Sequence, residues 1–370
     1  MNKFISFVTA LFVLITPIFC VYADDISSSQ VAEYVLSLDK AIEMALTDNS
    51  ELVANEHKAI AAKVNIKSAQ LSRSPYKKMT VNVSSNFEAY CLKEGYYIEA
   101  AQMQERLAIR EGEKIKNTIS YNVTEAYCNM VLMDKLINAA QNSYNLALSN
   151  MNTVKYQYEL GLISALDYEN ALISADYAKN SLESCRLNAS VAEDNFRILL
   201  GIDDNAKIIL TDEIECADFE TDFDTDVNKA LDSRYDLFAL KEAMELSESY
   251  WDLSTVLTES SATYNSAYAD YLSAKNAYEN AKKMIALKIK SAYNNIITSK
   301  SNLDIAKRQY EMNLKRYEAA KIKYDLGIIS NIELTQAINE LHDAQVSYAQ
   351  GKQSYKMAVE AYKAEITVGL

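Results

Sequence analysis

Carboxylates are the most concentrated reactive groups in this sequence. Between Thr211 and Asp226 stand Asp212, Glu213, Glu215, Asp218, Glu220, Asp222, Asp224 and Asp226, with no Lys or Arg among them. Asp222-x-Asp224-x-Asp226 has the alternate-residue spacing with which a loop offers oxygen ligands to calcium. Such a loop also needs a glycine at its sixth position for the sharp turn and a glutamate at its twelfth. Val227 and Ser233 stand there instead, so the stretch reads as a solvated linker and not as a metal site. His57 and His342 each lack a second ligand at helical spacing. Cys91, Cys128, Cys185 and Cys216 form no CxxC pair and fit no zinc spacing, which leaves them as small apolar residues on helices. No P-loop, nucleophile elbow or dinucleotide fingerprint occurs. The chain therefore reads as a non-enzyme that needs no cofactor.

The elements that carry these residues are long helices. Only 7 Gly and 2 Pro occur in 370 residues, while 49% of the chain is hydrophobic. So few turn residues argue against an all-β or βαβ fold. Lys and Arg number 37 against 51 Asp and Glu, a net charge of -14, and such a surface would repel a nucleic-acid backbone. Residues 1–23 read as an export signal: Lys3 is the positive start, Phe4 to Phe19 the apolar core, and Ala23 the cleavage point. The alternatives are an uncleaved anchor, opposed by Pro17 and the short core, and lipid attachment at Cys20, opposed by bulky Phe19. No later stretch approaches the about 20 apolar residues of a spanning helix.

An internal duplication organises the rest. Tyr158-Glu159-Leu160-Gly161-Leu162-Ile163-Ser164 returns 166 positions later as Tyr324-Asp325-Leu326-Gly327-Ile328-Ile329-Ser330, and Ala126, Tyr127, Asn129, Ala140 and Tyr144 match Ala292, Tyr293, Asn295, Ala306 and Tyr310 without gaps. The copies also begin alike, at Ala45-Leu46 and Ala230-Leu231, but with an offset of 185. The first copy thus holds about 19 extra residues before its matched core. That core is a heptad helix. Ile289, Ile296, Leu303, Tyr310, Tyr317 and Tyr324 recur every seventh residue in the second copy, as do Val123, Met130, Ile137, Tyr144, Met151 and Tyr158 in the first. This spacing holds one apolar seam against a neighbouring helix over many turns.

Each long helix has a defined stop. Gly161 and Gly327 sit where a left-handed cap residue is needed. Ser164 followed by Asp167, and Ser330 followed by Glu333, have capping-box spacing. Each motif reads as helix, tight turn and antiparallel helix. The tip residues Leu162 and Ile328 are either a docking surface or the apolar contact of the cap itself. Long helices over Tyr97–Leu160 and Ala262–Leu326 would extend roughly 100 Å each. The flanking helices, Asp39–Ser74 with Ser164–Leu200 and Val227–Leu257 with Ser330–Val368, are about half as long, so two stacked end to end would cover one long helix. The resulting division is a signal at 1–23, a first repeat at 24–201 with a strand-like insert at 75–96, an acidic linker at 202–226, and a second repeat at 227–370. A ribbon of this kind has no globular core and must bury its seams against copies of itself.

At this point the sequence resembles the TolC-type outer-membrane efflux family. The likeness rests on Leu38-Asp39-Lys40-Ala41-Ile42, Ala45-Leu46 and Asn49-Ser50-Glu51-Leu52 at the opening, on the duplicated tips, and on Leu199-Leu200-Gly201 closing the first copy. The resemblance implies an all-α, TolC-like α-barrel protomer, a homotrimer, and a passive exit duct working with a periplasmic adaptor (membrane-fusion) protein and an inner-membrane transporter. It implies an exported protein of the cell envelope, at the outer membrane. It makes Leu160, Gly161, Leu162, Leu326, Gly327 and Ile328 the adaptor-docking positions, on tips framed by Ser164, Asp167, Ser330 and Glu333. The acidic surplus implies that the lumen of such a duct favours cations.

One departure bears on the membrane. The family places a β-hairpin between the first two helices of each copy, and those strands build its barrel. Here only Met79–Ala89 alternates, Cys91 to Gly95 breaks the pattern, and Ser254–Thr263 offers a polar turn. The expectation is an α-helical duct with little or no β-barrel, and bilayer insertion stays open. The alternative function is a secreted coiled-coil scaffold of the envelope without transport.

Overall fold

A computed structural model describes residues 33–47, 49–202 and 206–370. The expected export signal at 1–23 lies outside the described residues. Strand β1 (Glu33–Leu36) leads into α1 (Leu38–Leu46), capped by the Ser37 side chain, and α2 (Ser50–Arg73), capped by Asn49. Helix α3 (Phe87–Glu94) is followed by the 64-residue α4 (Tyr96–Glu159) and by α5 (Ala165–Leu200). Strand β2 (Lys207–Leu210) opens the second half. Then come α6 (Phe223–Ser233), α7 (Tyr235–Ser254), the 64-residue α8 (Ala262–Asp325) and α9 (Asn331–Glu365). At 1.5 Å per residue, α4 and α8 each run about 95 Å.

The helices form a four-stave ribbon. Helix α4 packs against α1, α2 and α5 on one side and against α7 and α9 on the other, and α8 lies beyond, against α6, α7 and α9. The short helices stack end to end along the long ones, as the length arithmetic expects. At one junction Arg234, only 2% exposed, bonds the Glu365 carboxylate at the end of α9 and Asp236 at the start of α7. The Tyr235 amide donates to the Val368 carbonyl at 3.1 Å, so the two helix ends abut.

Each repeat has its own core on its long helix. In the second, the predicted row supplies Ile289, Ile296 and Leu303; in the first, only Val123 of the predicted row is buried and Tyr158 is exposed, the seam being continued instead by Ala140, Ala147 and Val154 on the neighbouring row. Arg106 crosses from α4 to the buried Glu242 of α7 with bonds of 3.0 Å and ties the repeats together.

The sequence reading is corrected at two places. Met79–Ala89 is not a strand: it is irregular chain and turns running into α3. Local side-chain chemistry outweighs the alternation there, because Asn86 accepts from the Ala89 amide at 3.0 Å and starts a helix, and among the described residues no second strand lies beside it to pair with. The strand-like insert at 75–96 is therefore a short helical cap. The linker at 202–226 is not uniformly solvated either. It contains β2, which pairs in parallel with β1 (Glu33 opposite Lys207, Leu36 opposite Leu210), the one sheet among the described residues. Beyond it Ile214 is buried, and Phe219 and Phe223 pack on the second core. The carboxylates between them mostly point outward, except Asp226, which is 9% exposed and accepts from the Tyr362 hydroxyl at 2.7 Å and from Thr221.

Candidate functional site: hairpin tips and open edges

The two tips have the same backbone. In the first, the Gly161 amide donates to the Tyr158 carbonyl and the Leu162 amide to the Gln157 carbonyl, both at 2.9 Å. In the second, Gly327 donates to Tyr324 at 2.9 Å and Ile328 to Lys323 at 2.8 Å. This paired pattern closes a helix through a left-handed residue, and Gly161 and Gly327 have φ of 73° and 69°. Both capping boxes form. Asp167 receives Ser164 Oγ at 2.7 Å, and Glu333 receives the Ser330 amide at 2.8 Å and its Oγ at 2.9 Å. Those Ser330 bonds, the backbone one foremost, hold Glu333 below the ordinary carboxylate value.

The turn does not absorb its apolar side chains. Leu162 is 70% exposed and Ile328 66%, and Leu160, Leu326, Leu166 and Ile332 are exposed beside them. The hydrogen bond from Asn150 Nδ2 to Thr335 Oγ1 at 3.1 Å crosses from one hairpin to the other close above the tips. The ten residues Leu160, Gly161, Leu162, Ser164, Asp167, Leu326, Gly327, Ile328, Ser330 and Glu333 thus stand at one end of the ribbon. The aromatic stack of Tyr158 on Tyr168, with centroids 5.3 Å apart, is present in the first tip. Its counterpart at position 334 is Leu334.

Sequence reading missed the open edges. On α8, Met284, Ile305 and Met312 fall on one seven-residue row and are exposed, on the side opposite the buried Ile289 row. On α5, Leu166, Ile173 and Leu187 form one exposed row and Tyr177, Val191 and Ile198 another; Val53, Ile60, Val64 and Leu71 continue this along α2. Each outer stave therefore carries two apolar seams, one buried and one bare. The signal was present as a second heptad on each helix, masked by the stronger first one.

Among the described residues no group of three or more His, Cys, Asp or Glu is placed to hold a metal ion. Among the same residues no helix is long and apolar enough to cross a membrane.

Residues 258–364 match the family model described as Outer membrane efflux protein. No functionally curated protein matches the chain. The fold is similar to that of the CmeC outer membrane channel of Campylobacter jejuni (TM-score 0.72, 16% identity, covering 87% of this chain and 84% of that one). It is similar also to the outer membrane protein VceC of Vibrio cholerae (0.72, 13%, 90% and 96%) and to the MtrE outer membrane channel of Neisseria gonorrhoeae (0.70, 12%, 89% and 89%). The resemblance to TolC-type outer-membrane efflux proteins read from the motifs therefore holds. The family model falls within the second repeat and its approach, and the fold likeness spans nearly the whole chain. The fold is TolC-like and, among the described residues, all-α apart from one short parallel strand pair.

Proposed function

We propose that this chain is one protomer of a trimeric, passive exit duct of the cell envelope, whose hairpin tips receive an adaptor protein linked to an inner-membrane transporter. The observation that carries this reading is the pair of bare heptad seams. The two edges of the ribbon differ, α8 on one side and α2 with α5 on the other, so each matches the other edge of a second copy better than its own. Such a head-to-tail contact closes into a ring when its rotation permits. Burial of about 25 cal/mol per Å² along seams of this length supplies the driving force. The likeness to known channels supports three as the ring number and supports the tips as the adaptor site. The duct performs no chemistry, and the transporter supplies the energy.

Light scattering and electron microscopy of the purified exported chain test the ring: a trimer with a central hole is expected. Dimers or open filaments would instead indicate the scaffold alternative. Gly161→Val with Gly327→Val tests the tips. Adaptor capture should be lost while the trimer persists, and unchanged capture would remove the docking assignment.

A further inference from the structure

The junction between the two hairpins of one chain is a template for a junction between two chains. Inside the chain α4 packs on α9. The 166-residue offset of the duplication carries each α4 residue onto α8 and each α9 residue back onto α5. Helices α8 and α5 stand at opposite edges of the ribbon. The duplicate of the α4–α9 junction is therefore one between α8 of one copy and α5 of another.

Three polar pairs bridge α4 and α9. Asn150 Nδ2 donates to Thr335 Oγ1 at 3.1 Å, Asn142 and His342 line one cleft, and Asn138 and Gln345 line another. None of the six is a carboxylate, a lysine or an arginine. Their duplicates are Arg316 with Glu169, Arg308 with Asp176, and Asp304 with Lys179. All three pairs are opposite in charge, and in the third both signs are exchanged together. All six side chains are exposed. Among the described residues Glu169, Asp176, Lys179 and Arg308 make no ion pair within the chain, and Arg316 and Asp304 make only loose ones, 3.7 Å from Glu340 and 3.8 Å from Lys300. The apolar residues follow the same rule. Val131 and Ala139 line the α9 side of α4 and are buried, whereas their duplicates on α8, Ile297 and Ile305, are 53% and 50% exposed.

We propose that α8 of one copy packs on α5 of a second copy in the register that α4 and α9 hold within the chain, with Arg316 on Glu169, Arg308 on Asp176 and Asp304 on Lys179 selecting that edge as the partner. Ile297 and Ile305 are then covered as Val131 and Ala139 are. The difference in chemistry has a physical reason. Inside the chain the hairpins are tethered and their junction forms at high effective concentration, so neutral side chains suffice. Between chains the partner must be picked from solution, and opposite charges steer the approach and reject wrong edges. This deepens the duct reading, on which it rests for the presence of a second copy, by naming the residues that choose the contact. The two can fail separately: a trimer indifferent to these charges refutes the pairing alone, and dimers that obey them refute the trimer alone.

The test is sedimentation equilibrium of the purified exported chain at low salt, in the urea concentration that half-dissociates the parent assembly. Asp176→Lys alone and Arg308→Glu alone should each weaken association roughly fivefold per contact, less as salt rises. Net charge by itself would move the two variants in opposite directions, since one makes the chain less acidic and the other more. Combining them in one chain should return association to within about twofold of the parent. Circular dichroism of the single variants should match the parent, because both side chains are exposed. Unaltered single variants, or a combined variant that loses as much as the two losses added, would overturn the proposal. Rescue of Asp176→Lys by Arg316→Glu and not by Arg308→Glu would overturn it too, by placing the contact about one heptad away. A parent chain that never associates overturns both this pairing and the duct.

Discussion

Phe196 and Tyr362, 166 positions apart, occupy the same place in the two repeats. Both are fully buried, and each meets a tyrosine of its own long helix: Tyr127 at 6.0 Å in the first case and Tyr293 at 6.1 Å in the second. Only the second carries a hydroxyl, and that hydroxyl donates to Asp226. The Tyr362 hydroxyl is correspondingly hard to ionise, first through burial and then through the carboxylate beside it.

Tyr362→Phe should therefore fit without clash, because the duplicate site already accommodates that ring. Its cost is the lost bond to a buried carboxylate that Thr221 still contacts, about 1–2 kcal/mol. Urea unfolding measures it. A variant as stable as the parent would show that Asp226 is solvated in solution.

Arg234→Met should cost more, about 3–5 kcal/mol, since it leaves Glu365 buried with a single remaining cation, Lys288. The loss should show as a lowered denaturation midpoint, and as earlier proteolysis at the α6–α7 and α9 ends. Loss of less than about 1 kcal/mol would mean that the stacked helix ends are held by apolar packing alone.

Acid should weaken the same region. Asp236 is half-exposed and Glu360 partly buried, and the loss of water around each would by itself raise them. The bonds from Arg234 to Asp236, and from Lys363 and Lys356 to Glu360, outweigh burial and leave both below their ordinary values of 3.8 and 4.5. A depressed carboxylate contributes stability that is complete above its unfolded value and is lost as pH falls through the folded one. The midpoint should hold steady from about pH 7 to pH 5 and drop below about pH 4. A midpoint that rises on acidification would contradict these assignments.

Thiol chemistry gives a packing test. Burial pushes Cys91 and Cys128 up to about 11, so at neutral pH little thiolate is present. Alkylation of both by iodoacetamide should be on the order of 100-fold slower in the native protein than in urea. Equal rates would place these helices apart in solution.

Gly161→Ala and Gly327→Ala probe the tips without disturbing neighbours. No atom lies within 4 Å of an added Cβ at either position, so the cost comes from the positive φ alone, about 1 kcal/mol each. Thermal melting of the two single variants should give similar shifts, as the matching cap geometry requires.

Local features were legible before any coordinates. The boxes of Ser164 with Asp167 and Ser330 with Glu333, and the stops at Gly161 and Gly327, depend on four or five adjacent residues, and each formed as read. The end-to-end stacking followed from lengths alone. What escaped depended on partners far along the chain. The four residues of β1 find those of β2 some 174 positions later, and neither strand is long enough to show a pattern. Arg234 and Glu365 lie 131 positions apart, and nothing near either one signals the pairing. In the linker the outward carboxylates hid Ile214, Phe219 and Phe223. Over Met79–Ala89 a two-residue alternation misled, because Asn86 caps a helix there and no strand among the described residues lies beside it to pair with.

The strand pair β1–β2 also dictates an order of events. Its first half leaves the ribosome early, but its mate is nearly two hundred residues behind. A chain made from its N-terminus onward cannot complete this closure until Leu210 has emerged. The opening segment then waits as an unpaired strand edge, open to wrong partners, and contacts of such wide separation form slowly. Folding of the first half is thereby postponed until both repeats' junction has been made, and a holding chaperone would protect the waiting edge and raise the yield.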